Sequence, residues 1–121
     1  MVKLVFCCRR KEGMTRTQFQ ARWLDVHGPL VRKLRGQLPM MKRYVQSHSL
    51  ADAVNQPLRE GRGTAEAFDG ITEVWFDSLE DMGADHGQAA ADAARQLYQD
   101  EAEFLDFSRS SVFITEEREI F

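Results

Sequence analysis

Apolar periodicity changes along this 121-residue chain in the order strand-like, helical, strand-like, strand-like, helical, strand-like. Val2 to Cys8 is a β-rich apolar run that ends at the turn-prone Lys11, Glu12 and Gly13. Thr15 and Gln18 then stand at capping-box spacing, with Met14 and Phe19 as a hydrophobic staple, so a helix should begin at about residue 16. Phe19, Trp23, Val26, Leu30 and Leu34 keep to one helical face. Pro29 disfavours the helical conformation at Gly28 and cannot donate its own amide, so this helix either stops at His27 or kinks and continues through Leu34. Met41 to His48 reads as a second strand. Residues 51–68 are polar and small, with Pro57, Gly61 and Gly63, and read as a long loop with room for a fragment of helix. Phe68, Asp69 and Gly70 turn the chain into a third strand, Ile71 to Asp77. Ser78 and Asp81 cap a short helix that is interrupted near Gly83 and Gly87. A longer helix follows from about Gln88 to Leu105, its apolar face formed by Ala90, Ala93 or Ala94, Leu97, Phe104 and Leu105; Ser110 to Glu116 is the last strand.

The order β-α-β-β-α-β is that of an α+β, ferredoxin-like sandwich, a four-stranded antiparallel sheet with two helices on one face. The length suits a single domain over residues 1–121 and leaves no room for a separate cofactor domain. With both helices on one side and apolar residues on both faces of the first strand, the simplest cover for the other face is a second copy of the chain, packed sheet to sheet as a homodimer. The net charge of -3 comes from mixed charges without long single-sign runs, which offers no footprint for nucleic acid or an anionic membrane. The first residues have no basic stretch ahead of their apolar run and pass straight into Arg9, Arg10 and Lys11, so they read as a strand and the protein as cytoplasmic. Cys7 and Cys8 are adjacent in that strand, point to opposite faces, and read as ordinary thiols, neither paired nor part of a metal site.

His27 is the most informative polar residue, because it sits beside an apolar stripe at the place where proline interrupts a helix. It either bonds local backbone there or takes part in chemistry or ligand binding. On the second strand Tyr44, Gln46 and His48 share one face, and on the third Ile71, Glu73 and Trp75 share one. If these faces coincide, a tyrosine, a histidine, a glutamate and a tryptophan meet on one side of the sheet. Glu73, flanked by Ile71, Val74 and Trp75, is then either at a solvated edge or on the wall of a polar pocket. The ring and hydroxyl of Tyr44 suit a pocket wall, while His48 reads as a surface residue that could reach the same pocket. His86 in its Gly-rich connection is a weaker candidate.

Taken in order, Arg9-Arg10-Lys11-Glu12-Gly13, Phe19, Trp23, His27-Gly28-Pro29-Leu30, Arg43-Tyr44-Val45-Gln46, Phe68-Asp69-Gly70, Glu73, Trp75-Phe76-Asp77-Ser78, Asp100-Glu101, Phe104, Asp106 and Ser110 resemble the EthD family over nearly the whole chain. The resemblance implies a dimeric α+β barrel with a pocket inside each subunit, between sheet and helices. It implies relatives such as polyketide cyclases, dehydratases, decarboxylases and lactone isomerases. It also implies His27 as the signature histidine, Tyr44 as the strand tyrosine, Glu73 and Trp75 as the third-strand acid and aromatic, and Phe104 and Asp106 as the late aromatic and acid. The expected function is therefore proton transfer on a small cyclic, aromatic or polyketide-like carbonyl compound, without a cofactor or metal. His27 would be the acid or base and Tyr44 would hold the carbonyl. Glu73 or Asp106 would orient the imidazole, and Trp23, His48, Trp75 and Phe104 would bind the ligand. The alternatives are a small-molecule-binding accessory protein for an oxidative system, and an oxygenase, either cofactor-free or haem-binding with His27 as axial ligand.

Overall fold

The computed structural model describes residues 1–121. Four strands, β1 (Val2–Cys8), β2 (Arg43–His48), β3 (Gly70–Phe76) and β4 (Ser111–Glu116), form one sheet in the order β2-β3-β1-β4. Every neighbouring pair is antiparallel. Together with the helices between the strands this is the ferredoxin-like sandwich expected from the element order.

The first helical segment starts as the sequence predicts. Thr15 accepts from the Gln18 amide at 3.1 Å and Gln18 Oε1 accepts from the Thr15 amide at 2.9 Å, closing the capping box of α1 (Arg16–Arg22). Of the two outcomes left open at Pro29, the structure takes continuation. One turn of wide π-helix, Trp23–His27, joins α1 to α2 (Gly28–Leu34), and the Gly28 amide donates to the Trp23 carbonyl across it. The wide turn brings Pro29 into the first turn of α2, where a missing amide donor costs little. The carbonyl of Trp23 takes a second hydrogen bond from Gln46 Nε2 at 3.0 Å, which ties the turn to β2.

Residues 51–68 are not a bare loop. They contain the helix α3 (Asp52–Arg62), which holds Pro57, buries no side chain and ends at Gly63 with φ of 66°. A short α4 (Leu79–Gly83) starts at the Ser78 cap, and α5 (Gln88–Glu101) runs back over the sheet. Along β3 the residues Gly70, Thr72, Val74 and Phe76 are buried, while Ile71, Glu73 and Trp75 are partly exposed, so the even positions lie under the helices.

The core is in two parts. Val31, Leu34 and Leu38 pack against Ala90, Ala93 and Leu97, where the small alanines let α2 and α5 approach closely. Phe19, Trp23, Phe104, Leu105 and Cys8 form the second part at the other end of the helices. Asp69, the residue before β3, is also buried, and accepts from the Arg10 amide at 2.8 Å and from Arg16 Nε at 3.1 Å. This ionic knot fastens the chain after β1 to the start of β3.

Candidate active site

Between the two parts of the core is a cavity of about 220 Å³, lined largely by apolar side chains including Leu4, Phe6, Val74, Leu97 and Phe104. Polar side chains in this lining include His27, Tyr44, Thr72 and Glu101.

His27 is 2% exposed. The π turn projects it onto Phe104, the rings meeting edge to face with centroids 5.2 Å apart. It is not satisfied by local backbone. Its Nδ1 is 2.7 Å from Asp100 Oδ2 at the end of α5, and Asp100 in turn receives both terminal nitrogens of Arg22, at 2.6 and 3.2 Å. The hydrogen bonds from Arg22 hold the Asp100 carboxyl below its ordinary range, so it is an ionised acceptor at neutral pH. Burial lowers the His27 pKa, with the Asp100 hydrogen bond opposing it, so the imidazole is neutral. A neutral ring facing a carboxylate must donate from Nδ1, which leaves the lone pair on Nε2.

That lone pair points towards Glu101, whose Oε2 is 3.9 Å away. The gap is too long for a hydrogen bond and leaves both groups free for a third partner. Burial pushes the Glu101 carboxyl up to about 7, and the charge of neighbouring Asp100 adds to the effect. Burial likewise raises the Tyr44 hydroxyl to about 12, against hydrogen bonds to Gln46 and Thr72, so Tyr44 remains a donor. The cavity thus holds a base with its tautomer fixed, an acid half-protonated near neutral pH, and a neutral hydroxyl donor. Such a set can take a proton from one atom of a bound molecule and supply one to another.

Of the candidate site residues singled out in the sequence, His27, Tyr44, Trp23 and Phe104 line this one cavity, and the rest lie elsewhere. Glu73 and Trp75 lie on the opposite face of the sheet. The register pairs Tyr44 with Val74 and Val45 with Glu73, so the face of Tyr44 continues through Thr72 and Val74. Alternation within each strand had correctly grouped their residues, but only the register decides which faces coincide. On that open face Glu73 pairs with Lys3 at 2.8 Å and the Trp75 ring lies under Lys3 and Arg43. Asp106 does not orient the imidazole; it caps the turn Phe107–Arg109, accepting from the Ser108 hydroxyl at 2.6 Å and Arg109 Nε at 2.9 Å. His48 lies behind the cavity wall, stacked on Trp23 at 4.5 Å and bonded to Gln46 Oε1 at 2.9 Å. His86 donates to the Asp81 carbonyl.

The carboxylates that do serve His27 are Asp100 and Glu101, to which no role was given. The signal was present in the stripe Ala90, Ala93, Leu97, Phe104, where Glu101 fills the missing helical position with an ionisable group. A haem does not fit this donor set. Nδ1 is held by Asp100, Nε2 faces a carboxyl group at 3.9 Å, and about 220 Å³ has no room for a macrocycle against the ring.

No curated protein matches the chain. Among solved structures, an ethyl tert-butyl ether d (ethd) family protein from Bacillus halodurans is similar, with a TM-score of 0.61 over 98% of this chain and 99% of that one, at 20% identity. An ethd-like protein from Ralstonia eutropha aligns with a TM-score of 0.58 over 95% and 89% of the two chains, at 21% identity. A dimeric ferredoxin-like protein of unknown function from Thermobifida fusca gives 0.58 over 94% and 88%, at 14% identity. These likenesses are of fold. The family model described as EthD domain matches residues 11–108, well over half of the sequence, and the chain therefore belongs to the EthD family.

Proposed function

We propose that the protein is an enzyme that moves a proton on a small carbonyl compound whose reacting group is uncharged, using its own side chains and no cofactor. The observation that carries this reading is the opposition of His27 Nε2 and Glu101 across 3.9 Å in an apolar cavity, with Nδ1 fixed by Asp100. His27 takes a proton from the carbon beside the carbonyl. The electron pair left behind forms the enol double bond, and the carbonyl oxygen receives a hydrogen bond from Tyr44 or a proton from Glu101. Return of the proton to a different atom completes an isomerisation, loss of a hydroxyl group protonated to water by Glu101 completes a dehydration, and attack of the enol carbon on a second carbonyl of the same molecule, whose oxygen then takes a proton, completes a cyclisation. All three groups act where water is scarce, which strengthens each interaction. Among the lining residues neither lysine nor arginine is present, which favours a neutral reacting group. A homodimer closed through the open sheet face is part of the same reading.

The test is exchange of carbon-bound protons in heavy water, followed by NMR over a panel of small cyclic and aromatic ketones. The wild type should label a compound that it binds, and His27→Gln should lower the labelling rate by about 100-fold to 10,000-fold while remaining folded. Labelling that is unchanged in folded His27→Gln excludes the histidine as the base. Tight binding without labelling favours the accessory-protein reading instead.

A further inference from the structure

The cavity has a neighbouring space. Met41 and Tyr44, two of its lining residues, also line a surface groove of about 760 Å³ between α2 and the edge strand β2. Its apolar lining includes Leu24, Val31 and Leu38, with Val45 from the sheet edge, and its cations are Arg32, Arg35, Lys42 and Arg43, with no acidic residue among the lining. Two of these cations are occupied. Lys42 is 3.7 Å from Asp77, and Arg43 lies over the Trp75 ring. Arg32 and Arg35 take part in none of the ion pairs of the chain. Arg32 in the last turn of α2 and Arg35, the residue that caps its end, are three apart and so neighbours on one helical face beside the apolar lining.

An unpaired arginine pair beside an apolar groove, next to a cavity without cations, is matched by a molecule of two unlike ends. We infer that the binding site extends from the cavity past Met41 into this groove, and that its ligand carries an apolar carbonyl head and an oxyanion tail held by Arg32 and Arg35. This rests on the proposed use of the cavity for a neutral carbonyl group. Methionine suits the passage, because its three rotatable bonds let it swing aside without loss of apolar contact. Guanidinium groups suit the tail, because their planar donors match a carboxylate or phosphate bidentately.

The experiment is calorimetric titration of the whole protein with methyl ketones of increasing chain length. Each ketone is compared with its ω-carboxylated and ω-phosphorylated counterparts. The tailed compounds should bind more tightly than the neutral ketone once the chain is long enough to pass Met41, and whichever tail gains more names the source of the oxyanion. The double variant Arg32→Gln/Arg35→Gln, on an exposed helix face, should lose about tenfold in affinity for the tailed compound and none for the neutral one. Equal binding of neutral and tailed ketones overturns the groove assignment and leaves the cavity reading standing. Failure of every ketone to bind overturns both. If the double variant changes the assembly mass but not ligand affinity, the assignment also falls. The groove is then a seat for the acidic, apolar-ended segment Glu116 to Phe121 of a second copy.

Discussion

Glu101 decides how this site responds to pH. Its carboxyl titrates near 7 in the folded chain and at 4.5 when unperturbed. Below pH 4.5 both states carry the proton and Glu101 costs nothing. Between 4.5 and 7 the unfolded chain releases the proton while the folded chain keeps it, so stability is lost as pH rises and the loss is complete above 7. Glu101→Gln removes that titration. The variant should be more stable than the wild type by roughly 2 to 3 kcal/mol at pH 8 and nearly equal to it at pH 4.5, as read by denaturant melts at the two values. Catalysis should move oppositely. Neutral His27 requires a pH above its lowered pKa and protonated Glu101 a pH below about 7, so turnover should follow a bell whose limbs belong to the pair. In Glu101→Gln the alkaline limb should disappear and the maximum should fall. A stabilised variant with unchanged turnover would reduce Glu101 to a buried carboxyl without function.

The elements that place His27 meet at a single close approach, where the π turn lies on the start of β3. A Cβ at Gly70 would stand 2.7 Å from Trp23 Cη2 and 2.8 Å from the Ser47 carbonyl oxygen, and neither a core tryptophan nor strand backbone can yield easily. Gly70→Ala should therefore cost roughly 3 kcal/mol, with a fall in Tm of about 10 °C or more. Gly28→Ala is the control, because its Cβ would meet nothing nearer than 3.8 Å and its backbone is already helical. It should be neutral or slightly stabilising. A large loss at Gly28 and none at Gly70 would mean that the π turn packs differently. How much of this was legible in the sequence follows from the reach of each signal. The capping box and the alternation in each strand are local, and Thr15, Gln18 and the strand limits came through nearly unchanged. The π turn depends on Gln46, a residue on another element that bonds the Trp23 carbonyl, so the local pattern left the effect of Pro29 open. The helix α3 was legible only as a fragment within a loop, because Pro57 and Gly61 disfavour a helix and its apolar Val54 and Leu58 remain exposed. Glu73 was misplaced for the opposite reason. Its strand was read correctly, but register is a long-range property that parity within one strand does not contain.

At the scale of the molecule, one face of the sheet is covered by helices and the other is not. Val5, Val45, Ile71 and Phe113 lie on the open face, with the Lys3–Glu73 ion pair and the Trp75 ring among them. A sheet face with three partly exposed β-branched side chains and two aromatics is costly to hydrate, and a second copy presents the same surface in reverse, as an isologous contact requires. Phe113, 47% exposed on the outer strand, is the position where a charge would oppose that contact without entering the core. The wild type should sediment as a dimer, and Phe113→Asp should sediment as a folded monomer with unchanged far-ultraviolet circular dichroism. A monomeric wild type would remove the sheet-to-sheet contact. The same variant separates assembly from chemistry. Val112, the neighbour of Phe113, lines the cavity from the helix side, and His27, Asp100, Glu101 and Tyr44 all belong to one protomer. A site complete within one chain should therefore keep its ligand affinity in the Phe113→Asp monomer. Loss of affinity on dissociation would instead show that the partner holds the outer strand β4, and with it Val112, against the cavity.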